Sequence, residues 1–151
     1  MSTIKLSFND GNDLGTTAHK AYAFLARRYK WDINLVKYFE PRQLLYAADA
    51  TSEGYSVWFL PHSNFISEED TNGLWKNTFN GDKIHEEWLP SIANKPHSGL
   101  HTDKSTRVVF AKKASGKYYF MGVYEVTNIE KKSNGSYVKT YNKISREYPM
   151  Y

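Results

Sequence analysis

Through residues 106–144 the chain runs in three stretches of alternating apolar and polar residues, interrupted only by turn-forming clusters. TRVVFAKK (106–113) ends at Ala114-Ser115-Gly116, and KYYFMGVYEVTNIE (117–130) is followed by the turn pair Asn134-Gly135. YVKTYNKI (137–144) then returns. Period-two runs joined by short turns, one of them Asn-Gly, predict an antiparallel meander. Gly122 lies inside the long middle run, where a residue without a side chain marks a bulge or a sharp bend that curls a sheet. This ending commits the chain to a strongly curved, mainly antiparallel sheet.

The earlier residues add a helix and a hairpin. Ile4, Leu6 and Phe8 alternate with Lys5 and Ser7, which predicts a short strand before the turn cluster Asn9-Asp10-Gly11-Asn12-Asp13. Thr16 or Thr17 can cap a helix over 17–30, in which Ala18, Tyr22, Leu25, Ala26 and Tyr29 recur at 3.6-residue spacing. Lys20, Arg27, Arg28 and Lys30 fall on its outer face and in its last turn, where cations complement the helix dipole. Asp32 can cap a second short helix over 33–39 that Pro41 closes. Residues 43–50 and 55–60 read as two strands joined through Thr51-Ser52-Glu53-Gly54.

From Pro61 to about Ser105 the periodicity dissolves. This stretch holds three of the five prolines, four of the five histidines, two of the four tryptophans and the acidic run Glu68-Glu69-Asp70. One helical turn over 84–89, after Asp82, is the regular structure expected within it. Connections of this length inside a small domain are usually functional. No repeat, low-complexity segment or linker divides the chain, so a single domain over 1–151 is expected. The fold class is α+β: a curved, mainly antiparallel sheet, one N-terminal amphipathic helix and a long irregular connection.

Composition excludes several chemistries. Without cysteine there is no disulfide scaffold, thiol nucleophile, thiolate zinc site or iron–sulfur cluster. No apolar run approaches the roughly 18 residues a membrane span needs, and MSTIKLSFND lacks the pattern of a signal peptide, so a cytoplasmic protein without a membrane partner is expected. Aromatic residues form 16% of the chain, too many for a disordered one. His97 and His101 have an HxxxH spacing, but Pro96 and Gly99 argue for a loop, and no HExxH accompanies them. Glu130-Lys131-Lys132, with Asp103 upstream, contains the Glu-x-Lys triplet of a metal-dependent nuclease, yet charged residues are ordinary beside a Ser133-Asn134-Gly135 turn. No GxSxG, P-loop or GxGxxG is present, and no metal, cofactor or catalytic residue is expected.

Charge is distributed unevenly. Residues 1–100 carry 10 Lys+Arg against 12 Asp+Glu, whereas residues 101–151 carry 10 against 4, a net of +6. Arg107, Lys112, Lys113 and Lys117 flank Tyr118, Tyr119, Phe120 and Tyr124, and Lys131, Lys132, Lys139, Lys143 and Arg146 interleave with Tyr137, Tyr141 and Tyr148. Cations on a sheet can neutralise phosphates while aromatic faces stack an unpaired or flipped base. Lys-rich strands also serve simply to keep a sheet edge soluble, and at least half of the aromatics have to be core. Exposed Tyr and Trp equally suit a protein interface, as in a small inhibitor or immunity factor.

TRVVFAKKASGKYYFMGVYEV (106–126) followed by YNKISREYP (141–149) resembles the PUA-like superfamily, and within it the SRA- and EVE-like recognition domains associated with bacterial restriction systems. The resemblance rests on a strand, a short turn and a strand with an aromatic-x-Gly-Val-Tyr pattern, here Phe120, Gly122 and Tyr124. It implies a small curved barrel that binds DNA or RNA, often with a modified base turned out into an aromatic-walled pocket. On that analogy the 61–105 stretch lines the pocket, with Trp75, Trp88, His101 and Asp103 as candidates. Asp103 can accept from an exocyclic amine and a tryptophan can stack on the ring. Arg107, Lys112, Lys113, Lys131, Lys132 and Arg146 are then expected to meet phosphates. The expected partner is nucleic acid, read for a modified base; a protein partner and a magnesium-dependent nuclease are the alternatives.

Overall fold

Ala18, Ala21, Tyr22, Leu25, Ala26 and Tyr29 recur at helical spacing, and all six are buried along one side of helix α1 (Ala18–Tyr29). The helix ends in a left-handed residue, Lys30 (φ 60°), and the Trp31 amide donates back to the Ala26 carbonyl at 3.1 Å. This six-to-one bond is a Schellman closure, with lysine where glycine is usual, and it turns Trp31 inward. Asp32 then accepts from the Asn34 amide through Oδ1 (3.0 Å) at the start of a 3-10 helix (Ile33–Phe39). The short second helix expected there is present, with its expected cap.

A computed structural model describes residues 2–4, 18–39, 46–60, 75–88, 103–112, 117–133, 135 and 137–150. Nine strands accompany the helices among these residues: β1 (Ser2–Ile4), β2 (Tyr46–Ala47), β3 (Ser56–Leu60), β4 (Trp75–Asn80), β5 (Lys83–Trp88), β6 (Arg107–Lys112), β7 (Tyr118–Lys131), β8 (Tyr137–Ser145) and β9 (Tyr148–Met150). β1 and β9 form a two-stranded antiparallel pair, and the other seven follow the order β2-β3-β6-β7-β8-β5-β4, with β2 and β4 at the ends. The chain divides into two compact units: Met1–Pro61 with Ser105–Tyr124 and Ile144–Tyr151, and His62–Lys104 with Glu125–Lys143. The mainly antiparallel α+β architecture expected from the sequence is thus the one found.

In the first unit β3 pairs in parallel with β6, from Ser56↔Arg107 to Leu60↔Ala111. Parallel strands are usually covered on both faces, and all five residues of β3 are buried. One face, with Val57, Phe59, Val108 and Phe110, joins α1, Trp31, Phe120 and Tyr148 in the hydrophobic core. The other carries Ser56, Trp58, Arg107 and Val109, also buried. Opposite β6, β7 shifts register: Val109 pairs with Gly122 but Phe110 with Phe120, leaving Met121 as the extra residue. Gly122 has φ 132°, a conformation side-chain-bearing residues avoid, so the bulge anticipated at this glycine is present.

In the second unit the expected helical turn over 84–89 is replaced by β5, hydrogen-bonded to β4 from Trp75↔Trp88 to Asn80↔Lys83. The physical reason lies in the two-residue loop Gly81-Asp82. Gly81 takes φ 62° at the first loop position, as a primed hairpin turn demands, and alternation buries Ile84 and Glu86 while Lys83 stays exposed. Trp75 and Trp88 are therefore strand residues, not loop residues. The strand expected over 43–50 is found only as Tyr46–Ala47: residues 48 and 49 form a turn, with Asp49 at φ 51°, and residues 43–45 lie outside the described residues. The strand expected within the first ten residues is found as Ser2–Ile4, its remainder lying outside the described residues.

Trp31 is 4% exposed and sits 5.5–6.4 Å from the rings of Tyr22, Tyr29, Phe110 and Tyr148. Trp31→Ala is expected to lower the free energy of unfolding by about 3–5 kcal/mol in urea titrations. Lys30→Gly should instead raise it by about 0.5–1 kcal/mol, because relief of the left-handed penalty exceeds the added entropy of the unfolded chain.

Candidate nucleic-acid interface

The cations expected to meet phosphates occupy four kinds of environment. Lys112, on β6 in the first unit, is partly exposed, and its Nζ lies 5.4 Å from the Tyr118 ring centre. Burial pushes the Tyr118 phenol up to about 12, so the ring stays neutral beneath this cation. Arg146 is exposed beyond the end of β8. In the second unit Lys131 is exposed, with Nζ 5.6 Å from the Tyr137 ring centre. An ammonium held over a ring face keeps its charge outward and loses little freedom on meeting a phosphate.

Lys132 is also exposed, but its Nζ donates to Glu87 Oε1 at 3.3 Å, so a phosphate has to displace a carboxylate. The two side chains border a cleft of about 300 Å³ with Thr78, His85, Glu130 and Val138. Thr140 Oγ1 lies 3.3 Å from His85 Nδ1 beside it. Among the described residues no group of three or more His, Asp or Glu is placed to hold a metal ion.

Arg107 differs from the other cations. It is 2% exposed, and its guanidinium carbon stands 4.3 Å from the Tyr46 ring centre and 4.9 Å from that of Trp58. Tyr46 and Trp58 are direct cross-strand partners, which sets two rings side by side for the planar cation to cover. Next to it Tyr46 OH donates to Ser56 Oγ (3.0 Å), and the Ser105 and Ser56 hydroxyls lie 2.8 Å apart. Arg107 accordingly organises the interior of the first unit. Lys113 and His101 lie outside the described residues.

Three of the four candidate base-pocket residues, Trp75, Trp88 and Asp103, belong to the second unit. Trp75 and Trp88 are Cα partners, and Trp88 is in turn the partner of Tyr137 on β8. Two residues along the same strands, Asn77, Glu86 and Lys139 form the next row of like parity, and all three are buried. Lys139 is fully buried and donates from Nζ to the Asp103 carbonyl at 2.5 Å, which brings the fourth candidate residue to this row. Tyr141 OH donates to Glu86 Oε1 at 2.6 Å.

A Lys, a Glu and an Asn in a buried sheet layer cost desolvation energy that an apolar layer would not. The interior of this unit contains three buried polar residues beside Ile84 and Tyr141. Sequence reading placed Lys139 among surface cations and passed over Asn77 and Glu86; the available signal was their parity with Ile84 and Tyr141, both buried. Lys139→Met removes the buried ammonium that stands opposite Glu86 in register and bonds the Asp103 carbonyl. It is expected to cost about 3 kcal/mol or more in urea unfolding, against under about 1 kcal/mol for Lys131→Met on the exposed end of β7.

Residues 31–150 match the family model of the SET and RING associated (SRA) domain. Among solved structures the chain is similar to the SRA domain of SUVH5, crystallised with fully methylated CG DNA, at 16% identity over 78% of this chain and 87% of that one, with a TM-score of 0.41. No curated protein matches the chain. The resemblance first visible in the strand–turn–strand around Gly122 therefore extends back through the hairpins to Trp31, and the chain belongs to the SRA family.

Proposed function

We propose that this protein is a non-enzymatic nucleic-acid-binding module that reads a modified base. The family match over residues 31–150 carries the reading, because recognition domains of the kind this sequence resembles bind DNA or RNA with a modified base turned out of the stack. Methylated DNA, the ligand in the SUVH5 crystal, is the first probe to try.

Lys112, Lys131, Lys132 and Arg146 meet phosphates in this scheme, with Lys113 beside them in sequence. The base enters the second unit, where Trp75 or Trp88 stacks on it and polar groups of the Asn77–Glu86–Lys139 row, with Asp103 and His101, read its edge. What supports this assignment is the Trp75↔Trp88↔Tyr137 register, one row of like parity from three buried polar residues. Neutral and charged donors and acceptors gain strength where water is excluded.

Fluorescence anisotropy with labelled duplexes, plain and carrying 5-methylcytosine, measured at two salt concentrations, tests the reading. Binding is expected to prefer the modified duplex and to weaken with salt. Lys131→Gln should weaken both duplexes alike and flatten the logarithmic salt slope by about 0.9 for each phosphate that is no longer neutralised. Glu87→Gln, which releases Lys132, should tighten both. Trp75→Ala or Trp88→Ala should abolish the preference while leaving the salt-dependent component in place. Equal loss of modified and plain binding in both tryptophan variants would show that neither reads the base.

A further inference from the structure

Helix α1 lies ahead of the segment that matches the SRA family, yet it is fixed to the first unit by six buried residues. Its opposite side is unusual in composition. Lys20, Phe24, Arg27 and Arg28 stand at i, i+4, i+7 and i+8, which puts them on one face, and Ala23 leaves a gap beside Phe24. Lys20, Phe24, Arg27 and Arg28 are exposed, and these four with half-buried Ala23 make up a shallow, open patch on the helix surface.

Two features of this face lack a structural explanation. The helix contains no acidic residue, and its first turn holds Lys20, where the positive end of the dipole disfavours a cation. Arg27 and Arg28 complement the other end of the dipole, and Arg28 also lies 6.0 Å from the Tyr29 ring centre, but neither arrangement needs Lys20. Phe24 is 49% exposed, the largest such exposure among the described large hydrophobic residues, and it stands in the middle of the three cations. A purely electrostatic duplex contact would have no use for an aromatic face there.

We infer that the outer face of α1 binds single-stranded nucleic acid, with Phe24 stacking on one unpaired base while Lys20, Arg27 and Arg28 contact flanking phosphates. Charge complementarity selects a polyanion, and an exposed ring among cations is the usual means of holding single strands without regard to sequence. Lys20 and Arg28 are separated by eight helical residues, about 12 Å along the axis, a span that covers consecutive phosphates of an extended strand. The contact stands apart from modified-base reading. It uses residues ahead of the family segment and requires no turned-out base.

Anisotropy with a labelled oligo-dT and a labelled 5-methylcytosine duplex separates the two. Phe24→Ala is expected to weaken oligo-dT binding tenfold or more and to leave the preference for the modified duplex unchanged. Phe24→Trp should retain or strengthen oligo-dT binding, and Lys20→Gln should reduce both its affinity and its salt slope. These positions are exposed, so circular dichroism and unfolding midpoints should match the parent protein. Unchanged oligo-dT affinity in Phe24→Ala would overturn the inference. So would displacement of oligo-dT by poly-glutamate of equal charge, which would identify the face as a site for acidic protein segments. Loss of the duplex preference with oligo-dT binding intact in the parent protein would count against the modified-base reading alone.

Discussion

Trp31 is the side chain on which the first unit depends. The helix cannot set its own position on the sheet; the residue just beyond it does, because the Schellman closure through Lys30 directs the indole back under the helix. There it meets Tyr22 and Tyr29 from α1, Phe110 from β6 and Tyr148 from β9, elements drawn from both ends of the chain. Its Nε1 donates to Tyr148 OH at 2.9 Å, and that hydroxyl donates to Glu53. Burial, together with the Glu53 contact, raises the Tyr148 pKa and keeps the phenol a donor. One indole thus contacts the helix, the parallel pair and the C-terminal strand, and the Trp31–Tyr148–Glu53 hydrogen bonds link this cluster to the turn ahead of β3.

The two units use burial differently. The aromatic and aliphatic core cluster, from Ala18 to Tyr148, belongs wholly to the first unit. The second unit buries Ile84 and Tyr141 together with Asn77, Glu86 and Lys139. Hydrophobic packing supplies stability that does not depend on a ligand, whereas a layer of buried polar groups is costly and specific. A recognition domain needs both: a part that stays folded, and a part whose donors and acceptors are already oriented when the ligand arrives. β7 serves both, because its first residues, through Tyr124, pack in the first unit and its last, from Glu125, belong to the second.

Local signals were the legible part of this fold. The period of α1, the alternation of β6 to β8 and the bulge at Gly122 follow from neighbouring residues, and each element forms near its expected place. The β3–β6 pairing joins strands about fifty residues apart in sequence, and no local pattern announces that they run parallel. The β4–β5 hairpin was hidden for another reason. Glu86 occupies a buried position, so the inward register reads as polar and period two disappears, although Gly81 still marks the turn. Trp75, Trp88 and Asp103 stand out in the sequence by residue type, but the pairing of the two tryptophans is not legible there, since their register depends on that unrecognised hairpin.

Charge counting carries a related error, and the structure shows its source. The +6 of residues 101–151 treats ten cations as equivalent. Arg107 and Lys139 are buried, the first against two rings and the second on a main-chain carbonyl. Lys132 is paired with Glu87, and Lys143 lies 3.7 Å from Asp82. The two buried cations organise the protein and contribute little to counterion release, which depends on cations that can reach phosphate oxygens, and the paired lysines must first leave a carboxylate. The electrostatic contribution to binding is therefore smaller than the net charge implies, and under the proposed function discrimination comes from the buried polar row and the aromatic residues beside it. A reader that relied on net charge alone would bind every duplex. In the proposed scheme the placement of Arg107, Lys132, Lys139 and Lys143 against rings, carboxylates and a carbonyl limits that non-specific component and leaves base recognition to decide which duplex is held.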